Sequence, residues 1–360
     1  MVIEIPRECR LVFCVGVGGV GKTTFAAALG LREALRGRSV LVLTADPARR
    51  LADALGVHGL VDVPSDISLP HPVLGGELHA AMLETKASAD QIILRAAQDA
   101  ERAKRVLENR IYRAFSNTLA RSHAYAAMER MHETIHDSRY DLVVVDTPPA
   151  QSSIEILDAP VRLVGFLDQR VVRWFLQASE DSQSLRGMTL AQRLLKIVAG
   201  ESLVAALTEF LSEMAFLREG FAKRAKDVWD FTRSAETSFV LVSSPDWAGV
   251  EAAKSVAGEV AGRGFRLEHL VFNRAFIPEI DISAGTSVDY PPILAALAPK
   301  LRQMRSALAA EQAHKTSMML SLHEELAVPT WALPEASRPL GSTSALAAWI
   351  DQARAIHNGR

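Results

Sequence analysis

The chain has 360 residues, enough for one large α/β domain or two smaller ones. Hydrophobic residues make up 49% of it, so it can bury a sizeable core, yet no uninterrupted apolar stretch is long enough to span a bilayer. With 40 Lys and Arg against 42 Asp and Glu, the formal charge of −2 gives no electrostatic case for general nucleic-acid binding, and no nucleic-acid partner is expected. Glu4 and Pro6 precede a short apolar run that lacks the shape of a secretory signal. The two cysteines, Cys9 and Cys14, fall at or just before the first predicted strand, too close in one extended segment to bridge. A reduced, cytoplasmic protein is the expectation.

In chain order, the first predicted strand is Leu11–Val15. It runs into Gly16-Val17-Gly18-Gly19-Val20-Gly21-Lys22-Thr23-Thr24 and then a predicted helix over Thr23–Arg36, which Gly37 can close. This meets the spacing G-x-x-x-x-G-K-T in the strand–turn–helix context of a phosphate-binding loop. Glycines let the backbone curl around a phosphate, while consecutive N–H groups and the positive helix end bind its charge. Gly18, Gly19, Val20, Gly21, Lys22, Thr23 and Thr24 form the expected cradle. Lys22 reaches the β- and γ-phosphates, and the Thr23 hydroxyl is placed for Mg²⁺. The motif implies a nucleoside triphosphate ligand.

The next predicted strand, Val40–Thr44, leads to Ala45-Asp46-Pro47-Ala48, where Pro47 keeps Asp46 extended at the strand tip. An acid there can orient the attacking water in triphosphate hydrolysis; a turn aspartate is the alternative, and both stay open. Lys86–Ser138 is long, charged and helical in pattern. Asp141–Asp146 is a buried strand delivering one carboxylate, as in a Walker B element, before Thr147-Pro148-Pro149. Asp146 would hold Mg²⁺, with a capping role as the alternative. Asp158–Arg233 is longer and more apolar. Ser238–Ser243 and His269–Asn273 complete the predicted strands. The alternation predicts an α/β fold: a doubly wound, mostly parallel sheet of the P-loop NTPase type with helical insertions. No linker cuts the chain, so residues 1–360 read as a single P-loop domain with helical excursions at about 86–138 and 158–233. Ser344–Arg360 reads as a weakly amphipathic helix. His132 and His136 lie at i, i+4 on a helix with no third ligand apparent, and Arg49 and Arg50 read as a solvated face, with a charge-stabilising arginine as the alternative.

Gly16–Thr24, Ala45–Ala48 and Asp146–Pro149 stand in the order and spacing of the ArsA-type ATPases, and the chain resembles that family over nearly its whole length. The family includes the arsenite-pump ATPase and the ATPase that targets tail-anchored membrane proteins, within the deviant-Walker-A class that also holds MinD and ParA. The resemblance implies a Mg²⁺-dependent ATPase with ATP as ligand, working as a dimer. It makes Asp46 the water-activating acid of switch I, with Leu51 and Asp53 following. Asp146 becomes the switch II carboxylate, followed by Gln151–Leu157. It places Asn273 against the adenine and the Leu333-Pro334-Glu335 loop beside it, with backbone groups and Pro334 as contacts. Two departures stand out. Val17 occupies the position of the family's signature lysine, which in relatives reaches the partner's nucleotide. With Cys9 and Cys14 as the only cysteines, no three-thiolate metalloid site and no C-x-x-C zinc site can be assembled.

The apolar excess lies in the excursions. Leu163, Leu167, Val171, Trp174 and Phe175 form a helical stripe, with Phe166, Val172 and Leu176 off it. Leu190, Leu194 and Ile197–Val198 form a shorter run, and Leu203, Leu207, Phe210, Leu211, Met214 and Leu217 repeat the period. Such stripes are core or a groove for hydrophobic segments. The leading expectation is an ATP-driven dimeric switch, a homodimer or a heterodimer with a related ATPase, that handles hydrophobic or membrane-protein clients. One alternative is an ATPase subunit energising an anion or metalloid transporter. Another is a spatial organiser of the MinD or ParA kind.

Overall fold

Apolar and β-branched runs without polar alternation form strands buried on both faces, as a helix-covered parallel sheet requires. The computed structural model describes residues 3–44, 49–82, 90, 93–94, 99–113, 123–147, 201–276 and 292–357. Its strands are β1 (Leu11–Val15), β2 (Ser39–Thr44), β3 (Ser65–Asp66), β4 (Glu77–Met82), β5 (Leu142–Asp146), β6 (Thr237–Ser243), β7 (Leu267–Phe276), β8 (Thr330–Pro334) and β9 (Arg354–Ile356). The helices are α1 (Lys22–Leu35), α2 (Arg50–Leu55), α3 (Ala100–Glu108), α4 (His123–His136), α5 (Glu201–Thr232), α6 (Trp247–Gly262), α7 (Pro292–Leu326) and α8 (Thr343–Ile350).

Among the described residues the strands form one sheet in the order β3-β4-β2-β5-β1-β6-β7-β8-β9. Neighbours from β4 to β8 pair parallel, and only the outermost strands β3 and β9 pair antiparallel. This is the doubly wound α/β fold that the alternation of elements predicts. The chain winds outward from β1 through β2 to β4, returns to insert β5 between β2 and β1, then crosses to β6 on the other side. The strand order therefore switches direction beside β1, where ligands of open α/β sheets bind at the carboxyl ends.

The chain divides into two compact units. The first is Met1–Met82, Arg139–Ala150 and Arg233–Arg360; the second is Leu83–Ser138 and Gln151–Thr232. In the first, α1 buries Phe25, Leu29 and Leu31 against the apolar side chains of β1, β2 and β5. Gly37, at φ +83, follows the helix and donates its N–H to the Ala34 carbonyl, the closure that the sequence predicts. Below the sheet, the buried Arg38 guanidinium donates to the carbonyls of Cys9 (2.5 Å) and Asp141 (3.0 Å) and pairs with the buried Glu33 carboxylate at 3.3 Å. That network ties the segment before β1 to α1 and β5.

A continuous helix over Ser344–Arg360 is not what forms. Helix α8 stops at Ile350: Asp351 makes the last i→i−4 bond, to Ala347, and the N–H groups of Gln352 and Ala353 then turn back onto the i−3 carbonyls of Trp349 and Ile350. Residues 354–356 then cap the edge of β8 as antiparallel β9.

In the second unit, α3 is capped by Asp99, whose carboxylate accepts the Glu101 N–H at 2.9 Å. Arg105 donates to Glu213 of α5 at 2.8 Å, and the Asn109 amide donates to the Ala206 carbonyl at 3.0 Å. His132 of α4 lies 3.7 Å from Asp227, also on α5.

Candidate functional site

The phosphate loop owes its shape to glycines at positive φ. Gly16 (φ +150) passes so close to β6 that a Cβ would run into the Val242 carbonyl. Gly21 (φ +91) caps α1 in the left-handed region, where side chains are disfavoured. No side chain caps α1 and its first turn carries no acid, so its leading N–H groups face the loop. Lys22 is buried, and its ammonium donates to the Val17 carbonyl at 2.8 Å, folding the loop onto its own lysine. The Val17 side chain packs against the core of the first unit.

Parallel register brings the second chemical element to the same strand ends. Asp146, the last residue of β5, lies opposite Cys14 of β1 on one side and Thr44 of β2 on the other. It is fully buried, and its Oδ2 accepts the Thr44 hydroxyl at 2.8 Å. The next hydroxyl, of Thr147, donates to the Cys14 carbonyl at 2.7 Å. Burial pushes the Cys14 thiol well up, the Asp146 charge adds to that, and the Lys22 charge opposes it. Both ionic groups thus act on one buried sulfur atom, which stays a thiol.

The phosphate loop and Thr147 open into a cleft of about 770 Å³ within the first unit, while Asp146 stays buried beneath it and does not line it. One wall is the phosphate loop and the start of α1, with Gly18, Gly19, Gly21, Lys22, Thr23 and Thr24. Arg50, Asp53 and Ala54 of α2 and Thr147 contribute a second side. Asn273, Arg274, residues 335–341 and Trp349 make the far wall. Lys22, Arg50, Arg274 and Arg338 supply four cations against the carboxylates of Asp53 and Glu335, a balance that suits a polyanion.

Asn273 sits at the loop end of β7, where its amide donates to the Val20 carbonyl at 2.9 Å. Val20 is itself buried. Glu335 lines the cleft and its N–H donates to the Phe276 carbonyl at 2.8 Å. Pro334 is buried behind it and does not line the cleft; its carbonyl accepts the Trp349 indole N–H at 3.0 Å. Asp46, Pro148 and Pro149 lie outside the described residues, as does the stripe from Leu163 to Val198. Ser337 and Arg338 are cleft residues that no motif marks; the only signal for them is their place a few residues after β8, while Arg274 follows Asn273 within β7.

The sequence profile of the anion-transporting ATPases, the ArsA ATPases, matches residues 9–288. The chain belongs to this family. Relatives include an ATPase ASNA1 homolog of Cryptosporidium parvum, 24% identical over 288 residues that cover 78% of this chain and 68% of that protein. A protein of Aquifex aeolicus, provisionally named arsenical pump-driving ATPase 2, is 24% identical over 75% of this chain and 81% of its own length. The Streptomyces coelicolor protein SCO2128 is 28% identical over 75% of this chain and 63% of its own. As a member of the ArsA ATPases the chain is an ATPase. No helix among the described residues is long and apolar enough to cross a membrane.

Proposed function

We propose that the chain is a Mg²⁺-dependent ATP switch that works as a dimer on hydrophobic protein segments. The observation that carries the nucleotide half is the convergence of an uncapped α1, the Lys22 ammonium and the buried Asp146 carboxylate at one set of strand ends. Thr23 and Asp146 offer hydroxyl and carboxylate oxygens, the hard donors that Mg²⁺ selects, and bound Mg²⁺ would neutralise phosphate charge. The α1 N–H groups and Lys22 hold the β- and γ-phosphates, Asn273 meets the adenine edge with Glu335 nearby, and Asp46 orients the attacking water.

The client half rests on the second compact unit, whose long helix α5 carries Leu207 and Phe210 half-buried at helical spacing. The test uses the Asp46→Asn protein and a fluorescent peptide with the composition of a membrane-spanning helix. Binding that strengthens with ATP and weakens in Phe166→Ser is expected; no binding in either nucleotide state would remove the client reading. The family description and the name of the Aquifex relative favour a second reading, a subunit that energises anion transport. That reading requires oxyanions or metalloids to stimulate hydrolysis, and the two buried cysteines offer no thiolate set for arsenite.

A further inference from the structure

The phosphate loop is braced from outside by one amide. Asn273 is 7% exposed, and its Nδ2 donates to the carbonyl of Val20, a residue of the loop, at 2.9 Å. Its Oδ1 accepts the Arg274 N–H at 2.8 Å. Arg274 stands at φ +57, a conformation uncommon for residues with a side chain, and the register of β7 against β8 shifts between Phe272 and Phe276. On the opposite side, Gly21 faces the same amide so closely that a Cβ would overlap Nδ2. A disrupted strand register, a left-handed arginine and an absent Cβ thus serve one contact, and reading a base needs none of them. Such irregularities beside a site re-aim a side chain.

We propose that Asn273 is a positioning residue for the phosphate loop, so that affinity for the triphosphate is set from the base end of the cleft. This rests on the ATP reading above. The Val20 carbonyl immediately precedes the Gly21 and Lys22 N–H groups, so fixing it fixes where they point. Two polar positions of the amide are committed, to Val20 and Arg274. Its second N–H and second lone pair serve the purine edge. One side chain therefore links base recognition to the curvature of the phosphate cradle.

Inorganic tripolyphosphate, which has neither base nor ribose, separates the two roles. Calorimetric titration of the full chain with Mg²⁺ and tripolyphosphate, or with Mg²⁺ and ATP, is expected to show Asn273→Ala and Asn273→Asp weakening both ligands, ATP by the larger factor because it loses the base contact as well. The tripolyphosphate loss is about three- to tenfold, the worth of one buried hydrogen bond. The ligand-free variants should unfold at a modestly lower temperature, because the same buried bond also braces the empty loop. Loss confined to ATP would make Asn273 a base contact only and overturn the proposal. A second pair of variants tests the corner without touching Asn273. Arg274→Asn and Arg274→Ile both remove the guanidinium, but only Asn tolerates the left-handed region. Arg274→Ile should bind tripolyphosphate more weakly than Arg274→Asn; equal affinities would overturn the role of the corner. An unmodified protein that binds neither ligand would overturn the ATP reading itself, an outcome distinct from loss of ATP alone.

Discussion

Lys22 shows how one side chain can serve both the shape of its loop and the charge of its ligand. Its ammonium is held by the Val17 carbonyl at 2.8 Å within the loop. Moving that donor from a neutral carbonyl to a phosphate replaces an ordinary hydrogen bond with a charge-assisted one. Lys22→Ala is therefore expected to weaken ATP binding by about ten- to a hundredfold, measured by titration with a fluorescent ATP analogue. Asp46 belongs to a different step. Asp46→Asn should keep ATP affinity and lower single-turnover hydrolysis by about a hundredfold or more, because the amide cannot accept a proton from water. Hydrolysis at the parent rate would remove Asp46 from the mechanism.

At the scale of elements, the stacking of β7 and β8 makes a pH-sensitive joint. His269 of β7 is buried; Trp331 of β8 donates its indole N–H to Nδ1 at 3.3 Å, so Nε2 carries the proton that reaches the Glu4 carbonyl at 2.9 Å. Burial lowers the His269 pKa below its ordinary 6.5, against the upward pull of the Glu4 bond and the Glu268 charge. The unfolded chain therefore takes up this proton first as pH falls. The contribution to stability is complete above about pH 6.5 and declines as pH drops toward the folded value. Urea midpoints at pH 7.5 and 5.5 should show a larger loss in the parent than in His269→Gln; equal losses would mean the joint does not titrate. Which elements could be read beforehand follows from the same packing. The strands β1, β2, β5, β6 and β7 are apolar because both faces are covered, so they stand out in the sequence. The segment Glu77–Met82 does not, since its alanines pack under helices without any β-forming bias. The three residues of β9 owe their strand to the exposed edge of β8 rather than to their own composition. The phosphate loop is contiguous in sequence, so its motif stands out, and Gly18, Gly19, Gly21, Lys22, Thr23 and Thr24 line the cleft while Val20 is buried behind them. The far wall of the cleft gathers Arg274, Ser337 and Arg338 from segments with no motif, and only the family resemblance points to their neighbours Asn273 and Glu335.

For the whole molecule, every cleft residue belongs to the first unit, so ATP held there as proposed would stabilise that unit directly. At ligand concentrations a hundredfold above Kd the gain is about 2.7 kcal/mol. Calorimetry should show ATP raising the transition of the first unit and Lys22→Ala cutting that rise by about half or more. In the proposed dimeric switch, hydrolysis takes more than one filled cleft. In ArsA-type relatives a lysine at the position of Val17 supplies charge to the partner's nucleotide, and here that side chain packs into the core. Two copies of this chain would close without that charge at either site, leaving each γ-phosphate with Lys22 and the loop N–H groups. The isolated protein is therefore expected to turn over slowly, and a mixed dimer with a relative that retains the lysine to turn over faster. Val17→Lys should raise the rate of the isolated protein. The long side chain can lay its methylenes along the apolar surface and extend the ammonium outward, at a cost in stability of about 1 kcal/mol for the lost valine packing. Steady-state ATPase rates of the parent, the variant and the mixture, each with its dimer fraction measured by light scattering, decide the matter. A parent homodimer that already hydrolyses ATP briskly, with no gain in Val17→Lys, would show that another cation completes the site. The cleft itself holds the candidates for that role, Arg50, Arg274 and Arg338.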